Sequence, residues 1–170
     1  DTVLAMFALE SKGDVVYTVD TSMAVDEILS RSGRRGYRTR VGDVYVAEKV
    51  KGVGACFGGE SSGSWIFPDI SYCPDGIYAT AKLIKILQER DTSLSKLVEE
   101  IPRYPRVREK IPCKRDKMGE VMKCVRIMLK DIGRCDYTDG VRVEFDDGWA
   151  LVRPSGTENY IRITIEGQNL

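Results

Sequence analysis

Three short stretches of the 170-residue chain gather side chains that could hold a polar ligand. In FGGESSGSWIFPD (57–69), Glu60 stands among glycines and the hydroxyls of Ser61, Ser62 and Ser64. A carboxylate accepts two hydrogen bonds, and hydroxyls donate or accept, so this set suits vicinal sugar hydroxyls. Gly58, Gly59 and Gly63 would let the backbone turn tightly and approach a ligand closely. In Arg40-Val41-Gly42-Asp43, a cation lies beside a glycine that permits a corner and an aspartate able to cap a following helix. In RPSGTEN (153–159), the fork of Arg153, the hydroxyls of Ser155 and Thr157 and the amides around Gly156 match the oxygens of a phosphate. Pro154 narrows the freedom of that loop before any ligand arrives. Glu158 is discordant, since it repels phosphate unless it points away or pairs with Arg162. Each stretch also has a plain reading: a Gly/Ser connection at a strand end, a helix cap with a solvated arginine, and a solvated hairpin turn.

The remaining composition narrows the chemistry. There is no histidine, which removes Ser–His and Cys–His nucleophile pairs, imidazole metal ligands and an imidazole acid or base. The 5 cysteines are odd in number and form no CxxC pair, which points to reduced structural thiols in a cytoplasmic protein. Lys plus Arg (26) balance Asp plus Glu (26), so the chain lacks the basic surface of a nucleic-acid binder, yet one local positive site is still allowed. No apolar run is long enough for a membrane span. With 42% hydrophobic and 31% charged residues, a packed core is expected. The N-terminal stretch lacks a basic leader and begins with Asp1 rather than Met, so a piece of a longer protein, or a processed chain, is expected.

The elements that must position these stretches follow from periodicity. A helix over 2–10 leads through Gly13 to a strand at Val15–Val19, then to a helix capped by Thr21 or Ser22 with Val25, Ile28 and Leu29 on one face. A strand near Tyr37–Val41, a helix over Val44–Lys51 and a strand over Gly52–Phe57 come next. Ile77, Ala81, Ile84 and Leu87 recur at helical spacing. Strands alternating with helices predict a three-layer α/β domain with a mixed or parallel sheet over residues 1–102. In such sheets the C-terminal strand ends share one edge, where ligands bind, so the Arg40 and Glu60 corners support each other. Pro102 and Pro105 then break both helix and strand patterns and mark a boundary. From residue 103 to 170 a strand at Arg106–Ile111 precedes a helix with Met118, Val121, Met122, Val125, Met128 and Leu129 on a core face. Val141, Val143 and Phe145 alternate with Arg142 and Glu144, and a turn at Asp146-Asp147-Gly148 leads into two strands flanking RPSGTEN. This part is a small α+β domain with an antiparallel sheet.

Taken together, GGESSGS and RPSGTEN resemble the sugar-recognition and phosphate-binding loops of the α-D-phosphohexomutase family, which includes phosphomannomutase, phosphoglucomutase and phosphoglucosamine mutase. TRVGD, YTVDTSMAVDEIL and PDGIYATAKLIKIL fit the same family in order, so the resemblance covers essentially the whole chain. It implies the third and fourth domains of a four-domain enzyme. In that enzyme a phosphoserine and a magnesium ion held by clustered aspartates lie upstream, so no catalytic residue and no metal ligand is expected in this chain. It further implies that a hexose 1-phosphate and a hexose 6-phosphate interconvert through a hexose 1,6-bisphosphate, with the upstream domains of the same polypeptide as partners. Glu60 and Ser62 would hold the sugar hydroxyls, with Ser64, Arg40 and Gly42 beside them. Arg153, Ser155, Gly156 and Thr157 would hold the phosphate that is not reacting. Three positions depart from the family's habit: Ser64 stands where His is common, Arg40 where Lys is frequent, and Asn159 where Pro is usual. The small residue at 64 resembles archaeal members, including phosphoglucosamine mutases. The alternatives are a non-catalytic sugar-phosphate binding or regulatory module, and a purely structural domain pair.

Overall fold

The run Val15-Val16-Tyr17-Thr18 is β-prone and apolar on both sides, and it is buried on both sides. The computed structural model describes residues 1–169, which divide into two compact units, Asp1–Arg103 and Tyr104 onward. The break falls inside the proline-containing segment 101–105.

The first unit runs α1 (Thr2–Glu10), β1 (Val15–Thr18), α2 (Met23–Arg31), β2 (Gly36–Thr39), α3 (Asp43–Val53), β3 (Phe57–Gly59), β4 (Trp65–Ile66), α4 (Gly76–Glu89) and α5 (Leu94–Glu99). Its sheet has the order β2-β1-β3-β4. β1 pairs in parallel with β2 and β3, and β4 returns antiparallel to β3, so the sheet is mixed. Alternate residues point to opposite faces. On one face Val16 packs with Val46 and Val50 of α3. On the other, the Phe7 ring of α1 meets Phe57 at 5.6 Å, and Tyr17 hydrogen-bonds Asp26 of α2. Helices therefore cover both faces, giving three layers.

Two glycines in this unit have structural reasons that periodicity does not show. Gly58 lies within β3 rather than at its turn, and a Cβ there would collide with Val50 and come within 2.8 Å of Val46. Its missing side chain serves helix-on-strand packing. The expected strand over Gly52–Phe57 is a helix end instead: α3 continues to Val53 and stops at Gly54, whose φ of 68° is left-handed. A short apolar run is ambiguous between helix and strand, and the buried Val46 and Val50 decide it by drawing the helix onward.

Helix α4 also turns differently from its apolar spacing. Its buried residues are Ala79 and Ile86, whereas Ile77 is 87% exposed and Ile84 57% exposed. Tyr78 stacks edge-on against Phe67 at 5.0 Å, and that contact fixes the buried side. Where α1, α4 and α5 end, Arg90 pairs with Glu10 (3.0 Å) and Glu100 (2.9 Å). The hydrogen bond to Glu100 raises the pKa of this arginine further.

The second unit runs β5 (Arg106–Pro112), α6 (Arg115–Leu129), β6 (Arg134–Asp136), β7 (Val141–Glu144), β8 (Gly148–Pro154) and β9 (Tyr160–Gly167). All pairings are antiparallel, in the order β5-β9-β8-β7-β6. α6 packs on β7 and β8. Of its expected core stripe, Met118 is buried and Met122, Val125 and Leu129 are half-buried, but Val121 and Met128 are exposed. Arg142 was expected to face outward between Val141 and Val143. It is 1% exposed, with its guanidinium 3.9 Å from the Trp149 ring centroid and its Nε donating to Glu144 at 2.8 Å. Cation–π contact and a carboxylate partner offset the loss of water.

Candidate functional site

In the first unit the parallel pairing sends the ends of β2 and β3 to one edge, and there the two polar corners meet. The Gly42 amide donates to Glu60 Oε1 across the end of β1, and the Ser62 hydroxyl donates to Oε2 at 2.9 Å. Both carboxylate oxygens thus have a donor already, and Glu60 is only 7% exposed. A buried carboxylate without such donors would be costly. The two bonds fix its plane while each oxygen keeps a lone pair for a ligand hydroxyl.

The backbone of both corners follows from particular residues. Gly42 is the N-cap of α3 with φ 138°, a conformation that L side chains rarely adopt. Asp43, expected as the cap, is the first helical residue, and its carboxylate accepts from the Val44 amide at 2.8 Å. Glu60–Ser64 forms the connection between β3 and β4: the Glu60 amide donates to Ser64 O at 2.9 Å, and the Gly63 amide to Glu60 O at 3.2 Å. Gly63 has φ 104°. Ser64 therefore closes the turn through its carbonyl. Arg40 is exposed and lies 5.7 Å from the Tyr45 ring centroid. It lines the same corner as Gly42 and adds a cation there.

In the second unit RPSGTEN is shorter as a loop than it reads. Arg153 and Pro154 belong to β8, opposite Arg162 and Ile161, so only residues 155–159 form the connection. The loop is tied at three points: Ser155 N–H to Tyr160 O (3.0 Å), Cys113 N–H to Asn159 O (3.0 Å), and Arg115 Nη2 to Gly156 O (2.5 Å). Asn159, where a proline is usual, is held through its carbonyl instead. Since the Gly156 carbonyl points to Arg115, the Thr157 N–H across that trans peptide points the other way. Among the described residues, the amides of Gly156 and Thr157 meet no protein acceptor. Ser155 Oγ accepts from the Glu158 amide at 3.1 Å, which leaves its own hydrogen to donate.

Arg153 and Arg162 stand opposite each other on neighbouring strands, on one face. Like charges so placed repel, and an anion between them relieves that. Arg162 does not pair with Glu158: it donates to Tyr160 OH at 2.9 Å, and Glu158 is exposed. The signal for Arg162 was available, because a hairpin register puts residues equidistant from the loop side by side. Arg115 lies 38 positions before Arg153 in the sequence and left no such signal. Among the described residues no three His, Cys, Asp or Glu side chains cluster as metal ligands. All 5 cysteines are free, and no helix is long and apolar enough to cross a membrane.

With this geometry in place, comparison with known proteins identifies the class. Residues 1–104 match the family model for phosphoglucomutase/phosphomannomutase, alpha/beta/alpha domain III, and residues 110–169 match that for the C-terminal domain. The chain belongs to the phosphoglucomutase/phosphomannomutase family. It is 55% identical to a protein of Methanosarcina barkeri and 52% identical to one of Methanosarcina acetivorans, both named probable phosphoglucosamine mutases. Each match covers 99% of this chain and 39% of the relative. A solved phosphoglucomutase/phosphomannomutase family protein of Burkholderia thailandensis is 26% identical and superposes with a TM-score of 0.85, over 99% of this chain and 37% of that one.

Proposed function

We propose that residues 1–170 are the substrate-recognition part of a hexose-phosphate mutase that interconverts the 1- and 6-phosphates of a hexose. The observation that carries this is the Gly42–Glu60–Ser62 contact, which holds one clamped carboxylate and one hydroxyl together at the strand edge of a family member. The reaction resembled by the sequence requires one sugar to bind in two opposite orientations. Glu60 and Ser62 then hold the two hydroxyls that nearly exchange places on reorientation, with Arg40, Gly42 and Ser64 shaping the corner around them. Arg153, Ser155, Gly156 and Thr157, joined by Arg162, hold whichever phosphate is not reacting. A guanidinium end, a free hydroxyl hydrogen and two unpaired amides supply donors around its oxygens. Keeping the bisphosphate bound through the turnover prevents loss of a phosphoryl group to water.

The phosphoryl-carrying serine and the magnesium ion belong to chain outside these residues. Magnesium supplies charge stabilisation for phosphoryl transfer; the residues present here bind and orient. Among mannose, glucose and glucosamine, the names of the archaeal relatives favour glucosamine. The test is a substrate panel on the full-length protein. Conversion of glucosamine phosphates with the highest kcat/KM, reduced by Glu60→Ala, is the expected result. A full-length protein that converts none of the three hexose phosphates overturns the proposal.

A further inference from the structure

Arg153 has a second neighbour besides Arg162. The ladder pairs Val141 with Val152, so the turn just before β7 lies directly beside Arg153 on the side away from β9. From that turn the Asp139 carboxylate accepts from Arg153 Nε at 3.0 Å. Both groups are half-buried: their side chains are 19% and 24% exposed. The approach is built into the backbone. Gly140 has φ 88°, and a Cβ there would collide with Val152 O and lie 3.0 Å from Arg153 Cα. Upstream, Asp136 Oδ1 accepts from the Thr138 amide at 2.7 Å and shapes the turn that delivers Asp139.

We infer that Asp139 is a positioning residue for phosphate binding, acting through Arg153. The inference rests on the reading of residues 153–157 as a phosphate grip. A guanidinium has a side edge, Nε with one Nη, and an end with both Nη groups. Asp139 occupies Nε, which turns the Nη end toward the ligand and leaves it available. It also opposes the repulsion between Arg153 and Arg162, which would otherwise swing Arg153 out of line when no anion is bound. The fork is then held in its binding rotamer in advance, so less side-chain freedom is lost when phosphate arrives. The negative charge of Asp139 works against an incoming anion. The proposal is that orientation outweighs it, and the two effects separate by substitution. Asp139→Asn keeps an oxygen that accepts from Nε and removes the charge, whereas Asp139→Ala removes both.

The experiment titrates inorganic phosphate into the 170-residue chain and follows the Gly156 and Thr157 amides by NMR. It also follows the Arg153 Nε–H resonance, which reports whether the Asp139 contact is made in each variant. Thermal melting of each variant shows whether the second unit stays folded. Arg153→Ala should weaken phosphate binding about tenfold, and Asp139→Ala should weaken it severalfold and expose the Nε–H to rapid exchange. Asp139→Asn should stay within about twofold of the parent, and Asp139→Ala should add nothing on the Arg153→Ala background, since a shared pathway is non-additive. If Arg153→Ala weakens binding and Asp139→Ala does not, the inference fails while the phosphate-grip reading stands. Equal weakening by Asp139→Ala with and without Arg153 also overturns the inference. Should Arg153→Ala change nothing, the grip reading falls and takes the inference with it. If Asp139→Ala does not fold, Gly140→Ala displaces the same turn by a backbone route, and unchanged affinity there overturns the inference.

Discussion

Glu60 shows how one side chain combines stability and recognition. Its two oxygens terminate the Gly42 amide and the Ser62 hydroxyl, so removing it leaves donors unpaired in a nearly closed corner. Glu60→Ala is therefore expected to cost about 1–3 kcal/mol in denaturant unfolding, and Glu60→Gln much less, because the amide oxygen still accepts from Gly42. Tyr137 offers a separate check on the turn beside the phosphate loop. Its hydrogen bond with Cys135 raises the phenol pKa above its usual value. Cys135→Ala should bring the tyrosine's ultraviolet titration back down, and an unchanged midpoint contradicts that contact. These residue types were legible in the sequence: a carboxylate among glycines and hydroxyls, a fork beside a flexible loop. Their partners were less so. The register that sets Arg162 against Arg153 depends on where strand β8 ends, and Arg115 and Asp139 arrive from other elements altogether.

Among the elements, periodicity located most helices and strands, gave no sign of β4, α5 or β6, and misjudged which side of some faced inward. Helix α4 is the clearest case. Its isoleucines at 77 and 84 have the spacing of a buried stripe, yet Ala79 and Ile86 are the residues that pack, because the Tyr78–Phe67 contact sets the rotation. Spacing gives a face and not the partner for it. In denaturant unfolding of the chain, Ile86→Ala should cost about 2–5 kcal/mol from lost burial and the cavity left behind. Ile77→Lys should stay within about 0.5 kcal/mol, as an exposed position does. Comparable losses at both positions would mean that the helix is rotated differently. Gly58 makes the complementary point, since its absence of a side chain is read as a turn from the sequence but serves α3 in the fold. Gly58→Ala should destabilise by about 1–3 kcal/mol through overpacking against Val46 and Val50. A neutral result in the same unfolding measurement contradicts that packing.

The chain spans 39% of the length of the curated relatives it matches, and its own residues contain neither histidine nor a metal cluster among those described. The two-unit plan and the strand classes could be read from the proline break and the change from alternating strand–helix to hairpin patterning. The proposed division of labour follows: the first unit recognises sugar hydroxyls, the second a phosphate, and the reacting group comes from elsewhere in the polypeptide. Residues 1–170 alone are accordingly expected to bind a hexose phosphate weakly and to convert none, which a coupled mutase assay on this chain checks directly.

The most direct measurement is the steady-state kinetics of the full-length protein carrying Arg153→Ala, with glucosamine phosphate as substrate. If Arg153 holds the phosphate that is not reacting, kcat/KM falls about 10- to 100-fold, as expected for loss of one charge-assisted contact, while the thermal stability of the protein stays close to that of the parent. A variant with unchanged kcat/KM contradicts the account.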